Sequence, residues 1–128
     1  HVFSRRYTCH YPEELDIEEM ERAAGYLLGR HDFSSFTDRK DEKGCTRRID
    51  EIQIEKRGDS LCMSFRGNGF MYHMVRILSG TLLEVGSGKK SARDIPEILK
   101  AKSRACAGFL APAQGLFLKE VYYQEEKR

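Results

Sequence analysis

The stretch "RRIDEIQIEKRGDSLCMSFRGNGFMYHMVRILSG", Arg47 to Gly80, changes its hydrophobic period part-way and so decides the fold. Ile52 and Ile54 alternate with polar or charged neighbours, the two-residue repeat of a half-buried strand over 47–56. Arg57-Gly58-Asp59-Ser60 is a turn, and Leu61, Met63 and Phe65 alternate with Cys62, Ser64 and Arg66 on a returning strand. After Gly67-Asn68-Gly69 the period lengthens. Met71, Met74, Val75, Leu78, Leu82 and Val85 form one helical stripe, predicting a helix from about Phe70 to Val85 that Gly86-Ser87-Gly88 ends. A hairpin followed by a helix is the centre of the chain.

Toward the N-terminus, Arg5 to Tyr11 is rich in aromatic and β-branched residues and stops at Pro12, which predicts a strand. Asp16 stands three residues before Glu19 as a capping box for a helix striped by Ile17, Met20, Ala24, Leu27 and Leu28, with Gly29 closing it. Residues 34–46 read as a polar loop. Toward the C-terminus, Asp94-Ile95-Pro96-Glu97 opens a short helix with a second capping box, and Leu116 to Tyr123 is a last strand. The order β-α-β-β-α-(α)-β is α+β: a ferredoxin-like or RRM-like antiparallel sheet with its helices on one face. At 128 residues this is a single domain, residues 1–128, with no internal linker.

No apolar run reaches the roughly 20 residues that span a bilayer, so no membrane partner is expected. The four cysteines, Cys9, Cys45, Cys62 and Cys106, lack metal or disulfide spacing and read as reduced thiols in a cytoplasmic protein. Net charge is only +2, but basic residues gather at Arg39–Arg48 and Lys89–Arg104 while acids crowd Glu13–Glu21. That asymmetry is either ordinary solvated surface or a basic face for phosphates. The chain begins at His1, not methionine, which suggests a processed product or a piece of something longer.

Arg76 is the residue out of place. It sits in the most apolar helix, and its i±3 and i±4 neighbours, Tyr72, His73, Ser79 and Gly80, offer no anion. A guanidinium keeps its proton in any surroundings, so it must reach water or recruit a carboxylate or phosphate. Three arrangements answer this: Arg76 snorkels to the surface, pairs with an acid of its own domain, or holds an anion supplied from outside. Gly80, one turn on, lets another backbone approach closely.

The same residues carry a resemblance. Gly67 to Gly88, "GNGFMYHMVRILSGTLLEVGSG", closely resembles the signature of the tRNA pseudouridine synthase I family. "LLGRHDFSSF" (Leu27–Phe36), "TRRIDEI" (Thr46–Ile52) and "AQGLFLKEVYY" (Ala113–Tyr123) are similar to three further family segments, in order and in register. The resemblance covers nearly all of the chain from about Arg5. It implies a two-domain homodimeric enzyme that isomerises uridine to pseudouridine in tRNA, near the anticodon stem-loop, with no metal or cofactor. It further implies that Arg76 matches the active-site arginine pairing with a catalytic aspartate, and that Leu116 lines the uracil pocket. Phe70 is a second candidate for apolar confinement of the base, and Arg47, Arg48, His73, Lys89 and Lys90 are candidate RNA contacts.

The family aspartate lies in G-R-T-D-x-G-V-H. Here "GRHD", Gly29 to Asp32, is followed by Phe-Ser-Ser-Phe, so Asp32 reads as a structural acid. Tyr7 in "RRYTCHY" is too close to the first helix to be the family's catalytic tyrosine. His10 and His31 also read as structural. The expectation is therefore a C-terminal half whose catalytic aspartate belongs to an N-terminal domain outside these 128 residues, inactive by itself. Two other readings compete. "RGNGFMYH", Arg66 to His73, faintly resembles the RNP1 strand of RRM modules, which bind RNA without chemistry. A ferredoxin-like dimerisation domain would bridge Arg76 internally.

Overall fold

The hairpin forms as the alternation requires. In the structure, a computed structural model that describes residues 2–11 and 14–117 (the last three by backbone alone), strand β3 (Thr46–Arg57) turns into β4 (Ser60–Gly67). The register opposes Ile54 to Met63 and Ile52 to Phe65, which sets both apolar rows on one face. A bulge interrupts the ladder between Ile49 and Glu51. Just beyond it Asn68 takes over the pairing: its amide donates to Arg48 O at 2.9 Å, and its Oδ1 accepts from Arg48 N at 2.7 Å. A Cβ on Gly67 would run into the Arg48 carbonyl, so only glycine lets the two strands meet there.

Strand β1 (Phe3–His10) pairs antiparallel with β4, helix α1 (Ile17–Leu27) follows it, and a short strand β2 (Gly29–Asp32) pairs with β3. Helices α2 (Met74–Gly86) and α3 (Asp94–Ala101) come next, and β5 (Leu116–Phe117) adds to the free edge of β1. The five strands lie in the order β2-β3-β4-β1-β5. Helices α1 and α2 pack on one face and on each other, and the core between them holds Met20, Leu27, Leu61, Met63, Leu78 and Leu82, all fully buried. The uncovered face carries Arg6, Thr8, Gln53, Glu55, Cys62 and Ser64, which line a shallow groove. None of these six is aromatic, so they offer no stacking platform of the RRM kind. The α+β, ferredoxin-like fold expected from the sequence is the one observed.

Several boundaries differ from expectation. Helix α2 begins at Met74, not near Phe70, because His73 adopts a left-handed conformation (φ 63°) and the Thr37 hydroxyl donates to Tyr72 O at 2.8 Å. That pins a turn where the apolar stripe alone predicts helix. Gly29 does take a positive φ (+95°), but it opens β2 and does not close α1, which ends on extended Leu28. The segment expected as a polar loop starts with a buried anchor: Phe33 and Phe36 fill the core around a 3-10 turn, Ser34–Phe36. Ser35 is buried with them, donating to Ile98 O at 2.6 Å and accepting from Ser103 N at 2.8 Å.

The first capping box is half formed. Asp16 Oδ1 accepts from Glu19 N at 3.0 Å, but Glu19 turns away to accept from Ala92 N at 2.9 Å. The second is absent: Arg93 sits at the cap with no side-chain bond, and Asp94 Oδ2 accepts from Ser91 N at 2.8 Å. The last strand begins at Leu116 as expected, and its expected continuation to Tyr123 falls on residues outside those described.

Candidate active site

Arg76 lies in the first turn of α2, between the buried Val75 and Ile77, and is itself half-buried. What holds it is a strap, residues 107–112, laid along the outside of the helix. Thr81 donates its hydroxyl to Ile77 O and accepts from Gly108 N, each at 2.8 Å. Phe109 N donates to Glu84 Oε2 at 3.1 Å, and Ala111 N to Arg76 O at 3.2 Å. Arg76 Nε returns a bond to Ala111 O at 2.6 Å. Gly80 makes this possible, because a side chain there would overlap the Phe109 carbonyl. The close backbone that Gly80 was expected to admit is therefore a segment of this same chain.

Tyr7, fully buried on β1, donates to Pro112 O at 2.9 Å and so ties the end of the strap to the sheet. Burial pushes its phenol above the usual value and Cys9 adds to the rise, while the positive charge of Arg76 opposes both. Leu116 opens β5 directly opposite Tyr7. The fold thus brings Arg76, Tyr7 and the backbone of Leu116 to one edge. Among the described residues no carboxylate comes within ion-pair distance of Arg76, and its two terminal nitrogens make no hydrogen bond. An internal salt bridge within those residues is excluded.

A second cluster surrounds the entry to α2. His73 Nδ1 lies 2.7 Å from Asp38 Oδ2, and Arg104 Nε donates to Asp38 Oδ1 at 2.9 Å. The His73 ring stacks on Tyr72 at 3.8 Å, and the Arg39 guanidinium sits over the Tyr72 ring at 4.3 Å. Phe70 and Arg47 border the same region, and Arg5 lies 5.9 Å from the Phe70 ring.

The hydrogen bond from His73 holds the Asp38 carboxyl below its usual range, Arg104 adding and partial burial opposing. A carboxyl depressed in the folded state stabilises above the unfolded pKa of about 3.9 and ceases to do so as pH falls through the folded value. Urea midpoints measured from pH 6 to pH 3 should therefore fall less steeply in acid for Asp38→Asn than for the parent. Equal slopes would show that the contact contributes no stability.

Of the remaining candidates only Arg47 borders one of these clusters. Arg47 is paired with Asp41 at 2.8 Å and Arg48 with Asp50 at 2.7 Å. Lys89 is exposed and Lys90 reaches Glu84 at 3.2 Å, both beyond the C-terminal end of α2. At 1.5 Å per residue the helix puts them about 20 Å from His73. Asp32 works locally, accepting from Ser34 N at 2.8 Å and from the Ser34 hydroxyl, with Lys102 at 3.8 Å. Sequence reasoning missed Asp38 and Tyr72, and met Arg39 and Arg104 only as ends of the two basic runs. A local sign existed for one pair only, the adjacent aromatic rings of Tyr72 and His73.

Fold and site together define an α+β domain with a half-buried guanidinium that has no carboxylate partner among the described residues. Comparison with known proteins gives the family. The model for tRNA pseudouridine synthase matches residues 23–124, and the chain belongs to that family. It is 50% identical to tRNA pseudouridine synthase A of Bacillus pumilus over 123 residues, 95% of this chain and 50% of that protein. Against the Halalkalibacterium halodurans enzyme of the same name it is 53% identical over 116 residues, 90% of this chain and 44% of the relative. For that of Acetivibrio thermocellus the identity is 46% over 120 residues, 93% and 49%. The chain spans about half the length of these curated relatives. No helix among the described residues is long and apolar enough to cross a membrane.

Proposed function

We propose that this chain is the C-terminal domain of an enzyme that isomerises uridine to pseudouridine in tRNA, in the region of the anticodon stem-loop. In this reading Arg76 receives the catalytic aspartate of an N-terminal domain, and the complete enzyme works as a cytoplasmic homodimer without a cofactor. One observation carries it: a half-buried guanidinium, fixed by Ala111 O at 2.6 Å, whose terminal nitrogens meet no acid among the described residues. The relatives' names and their doubled length supply the rest of the support.

The chemistry suits such a partner. The N1–C1′ bond breaks, the uracil turns, a C5–C1′ bond forms, and the C5 proton leaves for water while N1 gains one. A carboxylate must stay ionised and correctly aimed throughout, and the loosened base must not escape. Charge-assisted bonds from arginine hold such a carboxylate ionised and oriented. Leu116 and Phe70 would confine the base, which has first to leave its stack.

Tritium release from tRNA carrying 5-tritiated uridine tests the reading. The chain alone should release none, and the chain joined to its N-terminal domain should release tritium. Turnover by the chain alone would show that the nucleophile has been misplaced, and silence from the two-domain protein would end the proposal.

A further inference from the structure

Beside the Arg76 site lies a groove of about 530 Å³ between the 38–47 loop and the turn before α2. That volume is within the ~300–1,000 Å³ range of small-ligand sites. Arg39, Lys40, Lys43 and Arg47 line it with Phe70 and Tyr72. Tyr72 is 46% exposed, among the largest exposures of any big apolar side chain described. Asp41 pairs with Arg47, and the groove lining as a whole sets four cations against two carboxylates, Asp41 and Glu42. The Arg39 guanidinium has no carboxylate partner among the described residues and lies over the Tyr72 ring.

The planar groups are also fixed in place. Thr37 holds the carbonyl of Tyr72, and Asp38, gripped by Arg104, holds the His73 ring that stacks on Tyr72. Little rotamer freedom then remains to be lost on binding. A planar, preordered, half-exposed surface with an excess of cations around it fits one chemistry: a flat base attached to phosphates.

We propose that this groove holds an unpaired nucleotide of the RNA, its base on the outer face of the Arg39 guanidinium, which the Tyr72 ring supports from beneath, and its phosphates beside Lys40 and Lys43. The inference rests on the RNA-modifying reading above and deepens it. The site reads single strands and rejects duplex, because only an unstacked base presents a free face. Its residues lie across the turn from Arg76, so the nucleotide held here is a neighbour of the reacting one in space.

Fluorescence titration tests this with a seven-nucleotide RNA containing one 2-aminopurine, used single-stranded and as a blunt duplex. The parent chain should bind the strand more tightly than the duplex. Tyr72→Leu removes the ring that holds the Arg39 guanidinium flat and should weaken the strand about tenfold, the low-to-middle range for one lost stack, and leave the duplex unchanged. Lys40→Gln with Lys43→Gln should lower the slope of log affinity against log salt by about 1.4. Arg39→Gln, read the same way, covers the case in which Tyr72→Leu misfolds.

Strand binding that is indifferent to Tyr72 and Arg39 would overturn the site, as would a parent chain that prefers duplex or binds neither. The tritium assay separates the two proposals. Release by the two-domain protein with an indifferent groove removes the groove alone; strand binding in the groove without tritium release removes the isomerase reading alone.

Discussion

In the two-domain protein, Arg76→Lys is expected to fold as the parent does and to lose about 30- to 1,000-fold in tritium release. That range corresponds to about 2–4 kcal/mol, the size of losing one preorganised donor in a water-poor site. Lysine keeps the charge but not the planar pair of terminal nitrogens, and its ammonium cannot reproduce the bond from Nε to Ala111 O. Stability should fall by no more than the one lost bond to Ala111 O, about 1.5–3 kcal/mol, since Arg76 is only half-buried and no acid within the described residues depends on it. Thermal melting read beside the tritium assay checks both halves of the expectation. Activity within twofold of the parent would remove Arg76 from the chemistry.

Among the described glycines, Gly80→Ala brings the added carbon closest to a backbone atom and should be strongly destabilising. The added carbon would overlap the Phe109 carbonyl, a backbone atom that no rotamer change can move aside. The strap must lift, and with it the bonds from Gly108 to Thr81 and from Ala111 to Arg76. Overpacking of this kind costs about 1–3 kcal/mol, and a rigid obstacle puts it near the top, about 3 kcal/mol or roughly 10 °C in melting temperature.

Gly25→Ala is the control. It lies exposed on α1 with nothing within 4 Å of the added carbon, so the same chemical change should stabilise by about 0.5–1 kcal/mol. Differential scanning calorimetry of the two variants should move in opposite directions. Movement in the same direction would refute the close approach of strap and helix.

The elements legible in the sequence are those whose burial follows one period. Ile52 to Phe65 reads as a hairpin because one face is buried along its length, and Met74 to Val85 as a helix for the matching reason. Arg76 stands out by contradicting its own stripe, and Gly80 by lacking a side chain beside it. Strand β2 was hidden because Gly-Arg-His-Asp shows no alternation and its glycine looks like a helix stop. The start of α2 was hidden because Met71 keeps the phase of the stripe while the backbone before Met74 turns on a Thr37 contact. Asp38 and Arg104 are 66 positions apart, and only the folded chain makes them neighbours. The separation of Lys89 and Lys90 from the other candidate contacts was implicit in the helix length.

The bond between Arg76 Nε and Ala111 O has a stereochemical consequence. Of the two edges on which arginine grips a carboxylate, the lateral one includes Nε and is already taken. A visiting acid can dock only head-on, along the long axis of the side chain, against the pair of Nη atoms. Its bearing is therefore dictated by a main-chain oxygen that never touches it, and an acid one methylene longer would arrive out of line however well its charge matched.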